Sequence, residues 1–284
     1  MTDYLVYDVF TDQAFGGNPL AVIPDARGLT EEQLQKIARE FNFSESTFVY
    51  PPEDPAHTAK VRIFTPTLEL PFAGHPTVGT ALALHDLGRG GDDMVLELGV
   101  GPIPVSVRDG EARFETSVPL TVEGAPTLEE IAACIGQSAD AIRTDRHAPV
   151  LASVGLPFVL VEIGSEAAFE AAIGDASAFR AAAGDAADRM GVMIYMRDGS
   201  DIRARMFAPM GGIPEDPATG SACAALVAYL GQLDGVSQQF DIVQGVEMGR
   251  PSKITAEVMV KNKEPKTVAI AGRAVKTMEG KLTI

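Results

Sequence analysis

The chain has 284 residues, 46% of them hydrophobic, with a formal net charge of −16 and a sequence pI near 4.6. That length suits two domains of ordinary size, and the apolar share suffices for a substantial core in each. So acidic a balance excludes the basic face that nucleic acid requires, and the 28 Gly and 19 Pro, spread along the chain, mark many tight turns and not a disordered segment.

The opening run from Met1 to Asp8 lacks the basic start and long apolar stretch of a signal peptide. Tyr4 to Val9 alternates apolar and polar residues as a strand does. Thr30 to Gln33 reads as a capping box, and Leu34, Ile37, Ala38 and Phe41 then fall on one face of a helix. Thr47 to Tyr50 reads as a buried strand with Glu45 at its mouth, between apolar residues. If part-buried there, that carboxyl is expected to titrate above the ordinary glutamate range and to serve as both acid and base; a solvated turn glutamate is the alternative.

Strand patterns follow at 59–64, 94–98, 103–107 and 112–116, a cadence of antiparallel sheet. Between Ser117 and Pro126 the run ends in a Pro/Gly-bearing segment. This places a boundary there, giving halves 1–120 and 121–284, with the last strand free to return to the first half. Thr127 opens a second capped helix, and the Ala/Asp-rich stretch 166–188 reads as solvated outer helices. The apolar run 148–161 is too short, and too broken by Pro149, Gly155 and Pro157, to span a membrane. Cys134 and Cys223 form no disulfide framework, so a cytoplasmic location is expected, with neither membrane nor nucleic acid as a partner.

The centre of the chain holds a repeat. Arg62-Ile-Phe-Thr-Pro66, Leu70-Pro71 and the run His75 to Ala81 are echoed by Arg205-Met-Phe-Ala-Pro209, Ile213-Pro214 and the run Asp216 to Ala222. Each copy reads as strand, Pro-rich loop and helix, a duplicated domain. Pro76 and Pro217 are expected at first helical positions, with Asp216 as a cap. Gly79 and Gly220, followed by Thr80 and Ser221, are expected to leave the backbone open to a ligand. Two helix starts, with their unsatisfied N–H groups and positive dipole ends, would suit a carboxylate in a cleft shared by two pseudo-symmetric halves. Ordinary capping and packing is the alternative.

The chain lacks the nucleophile-elbow, P-loop and dinucleotide motifs. His57, His75, His85 and His147 are scattered and not at metal-ligand spacing, so no metal and no cofactor is expected.

Together, Gly17-Asn-Pro-Leu-Ala-Val22, Ser44-Glu45-Ser-Thr47, Arg62-Ile-Phe-Thr-Pro66, the run Glu69 to Gly79 and the run Glu215 to Ala222 resemble the PhzF-like phenazine-biosynthesis family, in order along nearly the whole chain. The resemblance implies an α+β fold like that of diaminopimelate epimerase: two pseudo-symmetric domains, each a curled, mostly antiparallel sheet around a central helix. It implies a cofactor-independent isomerase, often a homodimer, that moves a proton in a small carboxylate-bearing substrate. On the matching positions it implies Glu45 as acid/base, His75 and Asp216 as its assistants, and Ser44, Gly74, Gly220 and Ser221 as substrate-binding residues. The two-thiol pair of the related racemases is absent from these loops. Two rivals stand beside this reading: a binding protein of the same fold without turnover, and a serine hydrolase using Ser221 or Ser44 with His75.

Overall fold

The computed structural model describes residues 1–184 and 190–284. They form two compact units, one of Met1–Glu115 with Ile270–Ile284 and one of Thr116–Ala269.

The first unit holds β1 (Thr2–Val9), β2 (Asn18–Ile23), α1 (Glu31–Phe41), β3 (Glu45–Tyr50), β4 (Ala59–Phe64), β5 (Glu69–Leu70), α2 (Gly74–Asp86), β6 (Asp93–Leu98), β7 (Gly101–Arg108) and β8 (Glu111–Thr116). β17 (Glu264–Leu282) pairs with β1 and with β8. Following the pairs β1–β2, β2–β3, β3–β4, β4–β6, β6–β7 and β7–β8 back through β17 to β1 closes the sheet on itself. Closure removes exposed sheet edges and leaves an interior that side chains must fill. Helix α2 accompanies it as the buried element: every residue from Gly74 to Leu84 is buried. A helix apolar on all sides is one that belongs inside.

The second unit repeats the run from β2 to β6, with two outer helices in place of one. It holds β9 (Thr121–Gly124), α3 (Leu128–Cys134), β10 (Val150–Ser153), β11 (Pro157–Glu162), α4 (Glu166–Ala171) and α5 (Ala176–Ala183). Then come β12 (Val192–Asp198), β13 (Asp201–Ala208), β14 (Ile213–Asp216), α6 (Gly220–Asp234), β15 (Gln238–Gln244) and β16 (Ser252–Lys261). Residues Ala222 to Gly231 of α6 are buried as α2 is. The pairings correspond one for one: β2–β3 with β11–β12, β3–β4 with β12–β13, β4–β5 with β13–β14, and β4–β6 with β13–β15. Each unit is therefore a curled, mostly antiparallel sheet with a central helix, the diaminopimelate epimerase-like fold.

Several local expectations need correction. Within this mostly antiparallel arrangement, β2–β3, β4–β6, β11–β12 and β13–β15 are parallel, which the strand cadence did not mark. Each parallel pair is joined by a crossover that carries a helix, as parallel geometry requires. The Pro/Gly-bearing segment at the expected boundary contains a strand the sequence did not reveal, β9, paired to β10. All four β9 residues are exposed, so no alternation of burial marked it. The outer helices α4 and α5 are solvated as expected, each packing inward through one buried phenylalanine, Phe169 and Phe179. The part of that stretch at 185–188 lies outside the described residues.

The helix starts also differ. Helix α2 begins at Gly74, two residues before Pro76, and α6 begins at Gly220, three residues after Pro217. His75 is thus in the first turn of a helix, whereas Asp216 ends a strand and does not cap α6. Gly79 faces the sheet: a Cβ there would lie 2.6 Å from both Leu20 and Val9 side chains. Thr80 is fully buried. These two positions serve helix packing and leave no open backbone for a ligand.

Candidate active site

In the first unit the chain reaches β2 through Gly17, whose φ of +59° and 2.2 Å approach of a hypothetical Cβ to the Val9 carbonyl admit only glycine. Asn18 follows, fully buried at the start of β2. Glu45, the first residue of β3, pairs in parallel register with Leu20. Helix α2 is docked on β3 by Thr80, whose hydroxyl donates to the Thr47 hydroxyl at 2.9 Å, both side chains being fully buried. This docking carries the first turn of α2 to the mouth of β3.

There His75 Nδ1 lies 3.2 Å from Glu45 Oε2, with the two side chains 3% and 12% exposed. Asn18 Nδ2 lies 3.5 Å from the same ring nitrogen, and the Ser44 hydroxyl donates to Asn18 Oδ1 at 3.2 Å. Burial pushes the His75 imidazole down to about 3, so it is neutral at pH 7. A neutral ring nitrogen facing a carboxyl oxygen at this distance is favourable when one proton lies between them. The arrangement places a carboxyl oxygen and a neutral imidazole nitrogen beside one another in a mostly buried setting. Gly74, adjacent to His75, is the first residue of α2 and is buried.

In the second unit Asp216 is buried at the end of β14, and the Thr219 hydroxyl donates to its Oδ2 at 2.5 Å. Gln244, fully buried at the end of β15, donates from Nε2 to the Asp216 carbonyl at 2.7 Å and to Thr219 Oγ1 at 3.1 Å. Its Oε1 accepts the Thr219 backbone N–H at 3.1 Å. Gly220 opens α6 and Ser221, half-buried, follows it. Burial pushes the Cys223 thiol up, away from the reactive thiolate form.

The helix ends fall into two kinds. The outer helices α1, α3, α4 and α5 are capped by the side chains of Thr30, Thr127, Ser165 and Asp175. The central helices α2 and α6 are preceded by Ala73 and Thr219, neither of which caps its helix with a side chain. Both central starts thus keep the donor-rich character that suits an anion. The strand arginines of the repeat also behave alike. Arg62 holds Glu69 through two hydrogen bonds of 2.7 Å, and Arg205 holds Glu215 at 2.8 and 3.0 Å.

The structure brings Glu45, His75 and Ser44 together in one unit, and Asp216 to Gly220 in the other. The residues that tie these sets, Asn18, Thr219 and Gln244, were not assigned roles from sequence. Asn18 lies inside the quoted Gly17-Asn-Pro motif. Gln244 had a weaker signal: Phe240, Ile242 and Gln244 share the inward face of β15, which makes the amide a buried polar residue. Among the described residues no group of three or more His, Cys, Asp or Glu is placed to hold a metal ion, and no described helix is long and apolar enough to cross a membrane.

The family model for phenazine biosynthesis-like proteins, PhzC-PhzF, matches residues 7–280. The chain belongs to the PhzF-like family. Within it, an uncharacterized isomerase of Mesorhizobium japonicum is 40% identical, covering 99% of each chain. The trans-2,3-dihydro-3-hydroxyanthranilate isomerase of Pseudomonas aeruginosa is 35% identical, again over 99% of each. The crystal structure of a PhzF-family phenazine biosynthesis protein from Bacillus anthracis superposes with a TM-score of 0.88 at 26% identity, covering 100% of this chain and 99% of that one. Membership of the PhzF-like family makes this chain an enzyme of the isomerase class.

Proposed function

We propose that this PhzF-like isomerase moves a proton between two carbons of a small carboxylate-bearing substrate, using its own side chains for acid/base catalysis and no cofactor. The observation that carries the reading is the Glu45–His75 pair, a mostly buried carboxyl beside a neutral imidazole at 3.2 Å. In its carboxylate form Glu45 takes a proton from a substrate carbon, and the electron pair left behind delocalises into the substrate's adjacent π system. The Glu45 acid then returns the proton to another carbon of that system, restoring the enzyme. Neutral His75 orients Glu45 and shares its proton, while Ser44 and Asn18 hold the imidazole in place. Low local dielectric strengthens each of these contacts.

Asp216, Gly220 and Ser221 enter the proposal through the sequence repeat and the uncapped start of α6, where backbone N–H groups suit a carboxylate; Gly74 enters through the equally uncapped start of α2. A homodimer in the cytoplasm is proposed on the family resemblance. The substrate class to test first is set by the P. aeruginosa relative, named for trans-2,3-dihydro-3-hydroxyanthranilate.

The test is proton exchange in D2O, followed by NMR, with that compound and a panel of small amino and hydroxy acids. Wild type is expected to isomerise or deuterate at least one of them, and Glu45→Gln to slow this by about 10²- to 10⁴-fold. Equal rates in both proteins would remove Glu45 from the mechanism. Binding of panel members without exchange would favour the rival binding-protein reading.

A further inference from the structure

We infer that Gln244 is a positioning residue for Asp216, acting through Thr219. The inference rests on the proposed role of Asp216 and adds a residue from a strand outside the repeated motif.

The amide orientation of Gln244 is fixed by backbone groups and needs no assumption. Its Oε1 faces the Thr219 N–H, which can only donate, and its Nε2 faces the Asp216 carbonyl, which can only accept. The second Nε2 proton then goes to Thr219 Oγ1. A hydroxyl that accepts there has one proton left to place, and it is aimed at Asp216 Oδ2 at 2.5 Å. One fully buried amide thus sets the direction of the hydrogen bond that Asp216 Oδ2 receives from Thr219. The chain is short, direct and stiff: a side chain on β15 holds the backbone at both ends of the Asp216–Thr219 loop.

A second contact clamps the same loop. Gly245 follows at a φ of +77°, and a Cβ there would lie 2.7 Å from the Pro217 carbonyl oxygen and 2.5 Å from that of Arg250. Its backbone therefore packs directly on the loop between Asp216 and Thr219. Cys223 on α6 lies within electrostatic reach of Asp216, and Glu215 on the same strand is held by Arg205. Neither supplies the bond that Thr219 does.

The hydroxyl proton pointed at Oδ2 favours the carboxylate form of Asp216. Loss of that bond, by Thr219→Val directly or by Gln244→Leu through misdirection, raises the pH at which Asp216 takes a proton. The protein labelled with ¹³C at aspartate side chains, with the Asp216 signal identified by its loss in Asp216→Asn, reads this without any substrate. A rise of about one pH unit or more in the Asp216 midpoint is expected in both variants, with Gln244→Asn recovering less than the wild-type value. In kinetics, kcat is expected to fall about 10- to 100-fold with KM changed little, because geometry and not binding is disturbed.

An unchanged Asp216 midpoint in folded Thr219→Val and Gln244→Leu overturns the inference, as does a loss confined to thermal stability. Should Gln244→Leu fail to fold, Gln244→Asn decides in its place, with Thr219→Val reporting the full loss of the hydroxyl at nearly constant volume; an Asp216 midpoint unchanged in Gln244→Asn then overturns the inference. Should wild type exchange no carbon-bound proton at all, the isomerase reading falls, while the NMR titration still decides whether Gln244 governs Asp216.

Discussion

His75 Nδ1 and Glu45 Oε2 stand 3.2 Å apart, one in the first turn of a buried helix and the other at the first residue of a strand. They are 30 positions apart in sequence (75 − 45), and nothing local joins them. Their contact depends on how α2 docks on β3, through Thr80 and Thr47. In the proposed mechanism the two groups act together. His75→Asn is therefore expected to lower exchange activity by about 10- to 100-fold, with the larger effect on kcat. Steady-state kinetics on the substrate found in the D2O screen checks this.

Stability should depend on pH through the same histidine. Its folded-state value, pushed down to about 3 by burial, lies below the ordinary 6.5. The folded protein keeps the ring neutral while the unfolded chain protonates it below about pH 6.5. Stability from this group is therefore constant above pH 6.5 and lost as the pH falls towards 3, by at most about 1.4 kcal/mol per pH unit. In urea unfolding at pH 8, 6.5 and 5, the gap between wild type and His75→Asn should narrow on the acid side. A gap independent of pH would contradict this.

The close packing of α2 predicts a second stability effect. Gly79→Ala brings a Cβ to 2.6 Å from Val9 and Leu20 side chains on β1 and β2. Alanine's better helix propensity, about 1 kcal/mol, is outweighed by strain in a filled core, for a net loss of about 1–3 kcal/mol. Because β2 also carries Asn18, activity should fall further than the folded fraction does. Thermal unfolding and kinetics on the same preparation separate the two.

Glu97 fixes the loop that joins β3 to β4. Its carboxylate accepts the backbone N–H groups of Glu53 and Asp54 and faces His57 Nδ1, each at 2.8 Å. The two backbone N–H groups hold it down at about 2. A carboxyl so depressed contributes stability above its unfolded value near 4.5 and loses it as the pH falls towards 2. Glu97→Gln should cost about 1–3 kcal/mol at pH 7 and much less at pH 3, as measured by chemical unfolding. Because Glu97 is remote from the Glu45–His75 contact in its bonding, kcat should change little.

The sequence by itself determined what is local or periodic. The capping boxes at Thr30 and Thr127 close as their spacing demands, because a hydroxyl three residues before a Glu or Gln needs only one helical turn to complete both bonds. Alternation marked β1, β4, β6, β7 and β8, because strand side chains repeat every second residue whatever surrounds them. The repeat placed His75 and Asp216 among the residues of interest, and the apolar surroundings of Glu45 at the mouth of a strand placed that residue there. The tertiary structure decided the rest. Parallel pairing, the closure of the first sheet by β17 and the exposed strand β9 depend on which distant segments meet, and a single strand's pattern is silent on its neighbours. The roles of Asn18 and Gln244 arise in the same way. An amide becomes a positioning group only when folding buries it against partners 57 and 25 residues away, His75 and Thr219, and leaves it no water to bond instead.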